Sequence, residues 1–223
     1  METALILSGW SPGPLPTVVQ ALEARGLACE EVPLPMPPCG CYWLLNPFVL
    51  VLGGLVVGVV LACQALDDPL YCVAVVVAAL AAARLAVAGL VLFSIARGVA
   101  NANALAARRR VVLVVGFSWG GGVAHWLLAE QKKEIPALLL APTSVAMAAA
   151  CLVRHPPRIP HPPSVAVVTA LYDDFCPPRT AGLYEAFGCR SVDRLQDDHV
   201  LSRADSLSRI LGTVAALLDD DGA

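Results

Sequence analysis

The chain has 223 residues, which is long enough for one domain with a substantial apolar core. Hydrophobic residues make up 57% and charged residues 15% of it, whereas an ordinary soluble domain has roughly 45–50% and about 25%. This composition disfavours an ordinary soluble protein. The net charge of −3 at pH 7 gives no electrostatic basis for binding nucleic acid, so no nucleic-acid partner is expected.

The first segment of the chain predicts a strand, a helix and a second strand. Ala4–Leu7 is a short apolar strand, and the Gly- and Pro-rich stretch SGWSPGPLP follows it as a loop. A helix is predicted over Thr17–Arg25, with Thr17 as its N-cap and Gly26 as its stop. Leu27–Leu34 returns as a strand. No secretory signal is recognisable in the first residues, so we expect an internal segment to insert the chain into a membrane.

Two long apolar runs lie within residues 43–96 and predict an inserted hydrophobic hairpin of two membrane helices. Phe48–Leu66 has a single polar side chain, Gln64, and as a helix it would reach roughly 28 Å, close to the hydrocarbon thickness of a bilayer. A polar turn follows at Asp67–Pro69, and then the second run, Leu70–Ile95, with Arg84 near its middle. Two alternatives remain: a second helix lying in the membrane plane, and a buried hairpin in a soluble protein.

The charges beside these runs predict the orientation of the protein in the membrane. Arg97 and Arg108–Arg110 follow the second run, whereas the turn between the runs is acidic. Because positive residues stay on the inner side of a membrane, the sequence predicts a multi-pass protein whose globular part faces the cytosol.

The eight cysteines are compatible with a reducing compartment. They form no small-scaffold pattern, and no Cys-x-x-Cys pair occurs in the sequence. Cys39 and Cys41 stand just before the first apolar run, where reversible acylation is one interpretation and unmodified thiols the other.

The rest of the chain alternates helices and strands. Such alternation predicts an α/β fold with a mostly parallel sheet covered by helices on both faces. Helices are predicted from residue 98 to Arg109 and over Val123–Glu130, Thr180–Phe187 and Ser202–Leu218, and strands over Val111–Val115, Ala137–Leu140, Ser164–Leu171 and Arg190–Leu195.

Ser118 stands at the predicted corner between an apolar strand and a helix. The pattern Gly-x-Ser-x-Gly, here Gly116 to Gly120, lets strand and helix approach closely while the serine hydroxyl stays exposed. A phosphate-binding loop is the alternative, but its Gly-Lys-Ser/Thr ending is missing. The spacing therefore favours a nucleophilic serine.

A nucleophilic serine needs a base and an acid that orients the base. In a sheet of this type they follow in the order Ser, Asp or Glu, His. Asp173 and Asp174 come directly after a predicted strand, and His199 follows the last strand. The other three histidines lie in the helix after Ser118 or in a proline-rich linker: His125, His155 and His161. Since neither His-Glu-x-x-His nor paired Cys-x-x-Cys occurs, we expect no metal and no cofactor.

These residues resemble the α/β-hydrolase family in three segments: GFSWGG its nucleophile elbow, YDDFCP its acid loop and DDHVL its histidine segment. In that family the acid stands four residues before a proline, which favours Asp173 with Pro177 over Asp174. The segment LILSGW is similar to the loop that helps form the oxyanion hole. The resemblance therefore implies backbone N–H donors at Trp10 and Trp119.

The chain also departs from the family in ways that affect the expected fold. Ser8 stands where the family often has histidine, and the first two strands of the full fold are missing. The hydrophobic hairpin is inserted after the second strand, and the lid is reduced to at most Thr143–Pro163. We therefore expect a single α/β-hydrolase-like domain over residues 1–223 with reduced N-terminal strands and lid.

The resemblance implies acyl transfer to water by a Ser118–His199–Asp173 triad. Together with the apolar hairpin, it predicts a membrane-anchored serine hydrolase acting on an ester or thioester of a small-molecule, lipid or acylated substrate. A catalytically silent membrane adaptor with the same fold is the alternative, because fold alone does not establish activity. Protein partners, acyl-chain preference and the membrane concerned stay open.

Overall fold

A computed structural model describes residues 1–35, 47–65, 69–176 and 179–219. Within these residues, six strands form one sheet in which every neighbouring pair is parallel. The strands are β1 Glu2–Leu7, β2 Ala28–Glu31, β3 Arg110–Phe117, β4 Ala137–Leu140, β5 Val165–Ala170 and β6 Ser191–Leu195. The predicted α/β class with a parallel sheet is therefore confirmed.

Helices cover both faces of the sheet. They are α1 Leu15–Ala24, α2 Pro47–Ala65, α3 Pro69–Ala106, α4 Trp119–Glu130, α5 Ser144–Ala150, α6 Arg179–Phe187 and α7 Ala204–Asp219, with a 3₁₀ turn at Pro162–Ser164. Side chains alternate along β1, so that Ala4 and Ile6 pack with α1 and α7, whereas Leu5 and Leu7 pack with α3, α4 and α6.

The strand order β2-β1-β3-β4-β5-β6 reverses direction between β1 and β3. The chain adds β2 on one side of β1 and later returns to place β3 on the other. Connections leaving the carboxyl ends of β1 and β3 therefore diverge, and in open α/β sheets a crevice forms at such a point. Ser118 follows β3 directly, so it lies at the mouth of this crevice.

The helix ends differ from the predictions in two places. The helix α1 begins at Leu15, with prolines before and after this residue, so Thr17 lies inside the first turn and the predicted N-cap is wrong. The helix α4 begins at Trp119, four residues before the predicted start at Val123. By contrast, Gly26 does end α1: with φ +83° it donates its N–H to the carbonyl of Glu23 at 2.9 Å.

The helix α3 is continuous over 38 residues, although the sequence predicts an apolar helix to Ile95 and a separate helix from residue 98. Its length is about 57 Å. From Arg84 onward one face points at the sheet domain, where Ala88, Val91 and Ile95 are buried. The end of the predicted second membrane run therefore packs against protein.

The first half of α3 lies outside the sheet domain and packs against α2, where the Cys72 thiol donates to the carbonyl of Cys63 at 3.8 Å. In the described part of the chain, one helix is long and apolar enough to cross a membrane, Leu70–Ala106, and the apolar segment Gly53–Gln64 is shorter. Two membrane spans therefore stay a prediction. The described residues do not include Asp67 and Asp68 of the predicted turn, residues 43–46 of the insert, or Cys39 and Cys41. Pro69, the last residue of the predicted turn, begins α3.

Arg84, predicted to interrupt the second apolar run, binds protein. Its guanidinium donates to the carbonyls of Ala149 and Ala150 at the carboxyl end of α5. A cation in this position also faces the negative end of the α5 dipole. The contact fastens α3 to a short helix that the sequence analysis did not predict.

Candidate active site

Ser118 occupies a strained turn between β3 and α4. Its backbone has φ +52° and ψ −116°, an unfavourable region for a residue with a Cβ atom. Backbone hydrogen bonds hold it there: its N–H donates to the Leu140 carbonyl at 2.9 Å, and its carbonyl accepts from the N–H of Gly122 at 3.0 Å. The surrounding strands and helix thereby fix the position of the hydroxyl.

The two glycines of the motif are required by packing. A Cβ atom at Gly116 would lie 2.8 Å from the Cβ of Ala124 and from the carbonyl oxygen of Gly120. A Cβ atom at Gly120 would overlap the carbonyl of Leu7 at the end of β1. The strand and helix can approach each other this closely only because both positions lack side chains.

His199 and Asp173 come together with Ser118 at this turn. In the sequence, His199 lies 26 positions from Asp173 and 81 positions from Ser118. His199 Nε2 lies 2.7 Å from Ser118 Oγ, and His199 Nδ1 lies 2.8 Å from Asp173 Oδ2. The other carboxylate oxygen of Asp173 accepts the N–H groups of Phe175 and Cys176 at 2.8 and 2.7 Å. Asp174, the alternative acid, is exposed, and Pro177 lies outside the described residues.

The imidazole of His199 is held between two aromatic rings. Its centroid lies 5.5 Å from that of Phe117, which is buried, and 5.2 Å from that of Phe175, which is 65% exposed. The side chain of His199 is only 17% exposed. Packing and the carboxylate together restrict the ring to an orientation that directs Nε2 at the serine.

The loop after β1 lies against Ser118, as the position of LILSGW suggests. A Cβ atom at Gly9 would be 2.7 Å from the Cβ of Ser118, and the next residue, Trp10, stacks on Trp119 with ring centroids 6.0 Å apart. Trp119 is the first residue of α4, so its N–H has no acceptor within that helix. The Ser8 hydroxyl, in the same loop, donates to Glu31 Oε1 at 2.7 Å.

Helix α3 holds the first residue of α4. The indole N–H of Trp119 donates to Ser94 Oγ at 3.0 Å, and the Ser94 hydroxyl donates to the carbonyl of Pro35 at 2.9 Å. Ser94 is buried. Trp119, next to Ser118, is thus bound to α3, a contact that no local motif predicts.

One group of potential metal ligands lies at this site. Atoms of Asp173, Cys176 and His199 lie within 4.8 Å of one another. The carboxylate and the imidazole are already bonded to each other, and the Cys176 thiol donates to the carbonyl of Ala141 at 3.1 Å. Burial, and secondarily the charge of Asp173, raises the pKa of this thiol far above its ordinary range. In this structure all three side chains already have hydrogen-bond partners within the protein.

A cavity of about 640 Å³ opens beside Ser118 and His199, within the usual size range of small-molecule sites. Its other lining residues are mainly apolar and come from α3, the start of α4, α5 and four loops: Trp10, Val87, Val91, Trp119, Ala146, Met147, Ala150, Phe175 and Val200, with Ser11 and Thr143. Helix α5 lies within the stretch predicted as a reduced lid. Its segment SVAMAAA is rich in alanine, a helix signal that could have revealed it.

A buried polar network behind α4 was also missed by sequence reasoning. His125 Nε2 lies 2.8 Å from the carbonyl of Pro157, so this nitrogen carries the proton and donates it. His125 Nδ1 then accepts the Tyr184 hydroxyl at 3.0 Å, and Tyr184 accepts that of Ser144 at 2.6 Å. Burial lowers the pKa of His125 to about 4, against a smaller opposing effect of the Pro157 carbonyl. His125 thus links α4, α5 and α6 as a neutral group.

Comparisons with known proteins identify the fold. No protein-family model matches the chain, and no curated protein matches it in sequence. Among solved structures, it is similar to Est1E from Butyrivibrio proteoclasticus with bound ferulic acid, at a TM-score of 0.58 and 10% identity over 99% of this chain and 89% of that one.

Two further solved structures are similar to this chain. One is that of the metagenome-derived lipolytic enzymes LipS and LipT, with a TM-score of 0.57 and 11% identity over 98% of this chain and 94% of that one. The other is esterase PE8, with a TM-score of 0.55 and 12% identity over 97% and 92%. The chain therefore has the α/β-hydrolase fold, as the three sequence segments implied.

Proposed function

We propose that this protein is a membrane-anchored serine hydrolase that cleaves an acyl ester or thioester. The observation that carries the proposal is the continuous hydrogen-bonded path from Ser118 through His199 to Asp173. It supports a nucleophile, a base and an orienting acid in contact at the crevice of an α/β-hydrolase fold.

In the proposed reaction, His199 accepts the hydroxyl proton of Ser118 at Nε2 while Ser118 Oγ bonds to the substrate carbonyl carbon. Asp173 accepts Nδ1–H, which keeps Nε2 free as the base and stabilises the imidazolium. His199 then gives its proton to the leaving oxygen or sulfur. The resulting acyl-enzyme is hydrolysed by water, which His199 activates in the same way.

The negative oxygen that develops in each step needs donors, and the proposal assigns them to the backbone N–H groups of Trp10 and Trp119. Support comes from the unpartnered first turn of α4 and from the close contact of Gly9 with Ser118. One such donor is worth about 2.7–4 kcal/mol in the transition state.

Membrane anchoring is proposed through α2 and the first half of α3. Leu70, Val77 and Leu80 of α3 are 60–77% exposed, and apolar side chains in such numbers are stable in hydrocarbon rather than in water. The arginines that follow α3 favour a cytosolic sheet domain. Neighbouring esterases and lipolytic enzymes share the fold, which supports hydrolysis as the reaction class.

Labelling with a fluorophosphonate, which reacts with activated serines, tests this function. We expect the membrane fraction containing the full chain to be labelled, and expect Ser118→Ala and His199→Ala to lose the label. Ser208→Ala, which removes an exposed serine on α7, serves as the matched control and should keep it. Folded but unlabelled wild-type protein would instead support the silent adaptor.

A further inference from the structure

The cavity beside Ser118 and His199 extends between α3 and α5. Val87 and Val91 of α3 form one wall, and Ala146 and Ala150 of α5 form the opposite wall. We call this space the α3–α5 groove. The four side chains named here are aliphatic, so this part of the cavity suits a hydrocarbon rather than a polar leaving group.

The groove runs along α3 from the level of the nucleophile. Ser94 holds Trp119, which is next to Ser118, and Val91 and Val87 follow about one and two turns back along α3. Seven residues of helix, from Ser94 to Val87, span about 10 Å. Because carbon–carbon bonds of about 1.5 Å advance an extended chain by about 1.25 Å each, this length accommodates about eight carbons.

Arg84 fixes the far end of the groove. Its bonds to the carbonyls of Ala149 and Ala150 hold α5 at a set distance from α3. Beyond it, the surface is apolar again: Leu80 precedes Arg84 on α3, and Leu152 follows α5, with exposed fractions of 66% and 62%. The far end therefore adjoins the surface that the proposed anchoring places in the bilayer.

We propose that the α3–α5 groove binds the acyl chain of the substrate, with the carbonyl at Ser118 and the methyl end toward Arg84. Val87 and Ala150 then set the preferred chain length. The inference rests on the proposed function for its reaction. The binding site itself comes from the inserted helix, and the occupant is a medium-length aliphatic chain that enters from the bilayer.

Hydrolysis of p-nitrophenyl decanoate and p-nitrophenyl acetate by the full chain in detergent tests the groove. Val87→Trp fills it, and we expect the decanoate-to-acetate ratio of kcat/KM to fall by about tenfold, corresponding to two methylene groups left unburied. Leu85→Trp, on the exposed side of α3, is the matched control and should keep the wild-type ratio. An equal ratio in the two variants would overturn the proposal.

A second pair of variants approaches the groove from α5. Ala150→Phe projects into it, whereas Ala149→Phe projects from an exposed position one residue away. Both leave unchanged the carbonyls that bind Arg84. We expect the same fall in the ratio for the first variant and none for the second, which distinguishes filling of the groove from damage to α3.

Binding without turnover separates this inference from the proposed function. In Ser118→Ala protein, decanoate should displace a fluorescent fatty acid, and adding Val87→Trp should weaken that binding by about tenfold while Leu85→Trp does not. Selective binding without wild-type hydrolysis would reject the hydrolase and keep the acyl site. Hydrolysis with unselective binding would reject the acyl site and keep the hydrolase.

Discussion

The two halves of helix α3, divided at Arg84, are both rich in alanine and aliphatic residues but have different surroundings. Val73 and Val77 in the first half are each 60% exposed, whereas Val91 and Val99 in the second half are 3% and 4% exposed. The second half has α4, α5 and the sheet beside it, and the first half has α2. Apolarity therefore predicts that a helix avoids water, and the neighbouring elements determine whether protein or lipid replaces the water.

The two halves of α3 also make different kinds of contact. The second half of α3 holds Trp119 through Ser94 and binds the connection after β2 through Asn101, whose side-chain amide donates to the Pro33 carbonyl at 2.7 Å. The first half, before Arg84, packs on α2, where the Cys72 thiol donates to the carbonyl of Cys63. We therefore expect substitutions in the second half to disturb the site and those in the first half to disturb membrane attachment.

The largest expected effect is a loss of kcat from a substitution in the sheet domain. Asp173→Asn keeps the size of the side chain but presents an N–H toward His199, so the imidazole adopts the wrong tautomer. We expect kcat for an acyl ester to fall by about 10⁴-fold. Asp174→Asn, which changes the exposed neighbour, should change it less than about threefold. Comparable losses in both variants would contradict the assignment of Asp173.

A carboxylate placed in each half of α3 tests the comparison directly. Ile95→Asp buries a charge where the side chain is 4% exposed, and we expect the free energy of unfolding to fall by about 4 kcal/mol in urea titrations in detergent.

The matched variant is Val77→Asp in the exposed half. It should leave that free energy within about 0.5 kcal/mol of wild type but weaken co-sedimentation with phospholipid vesicles, since an aspartate costs about 2.5–3.5 kcal/mol in a membrane helix. Unchanged vesicle binding would show that the first half of α3 does not enter the bilayer.

The smallest expected effect is a pH dependence of stability from His125 in the sheet domain. Its pKa is about 4 in the folded protein, and about 6.5 in an unfolded chain. The contribution of neutral His125 to the free energy of unfolding is complete above pH 6.5. It is lost as the pH falls toward 4, because over this range only the unfolded state gains the proton. The loss amounts to about 2 kcal/mol at pH 5.

Urea titrations at pH 7.5 and 5 measure this loss. We expect His125→Asn to remove about 2 kcal/mol of the wild-type difference between the two pH values, whereas His155→Asn, at an exposed position, should leave that difference unchanged. An identical pH dependence in both variants would show that folding does not lower the pKa of His125.

Local sequence signals predicted the strands and the turn at Ser118 well. A run such as Val111–Val115 is aliphatic enough to specify a buried strand, and Gly116 avoids an overlap with Gly120 and Ala124, which are close to it in sequence. The start of α1 was mistaken because Pro14 and Pro16 favour an earlier helix start than Thr17. Helix α5 was missed because its seven residues fall in a stretch interpreted as a lid.

The sequence by itself determined the parallel α/β fold, the glycine-flanked serine and the presence of long apolar helices, because each depends on periodicity or spacing between near neighbours. Only the tertiary structure decided that His199 reaches Ser118, that Arg84 binds α5 and that half of α3 packs on the sheet domain. These contacts join residues 65 to 81 positions apart, and their geometry depends on how the whole sheet is assembled rather than on any segment of it.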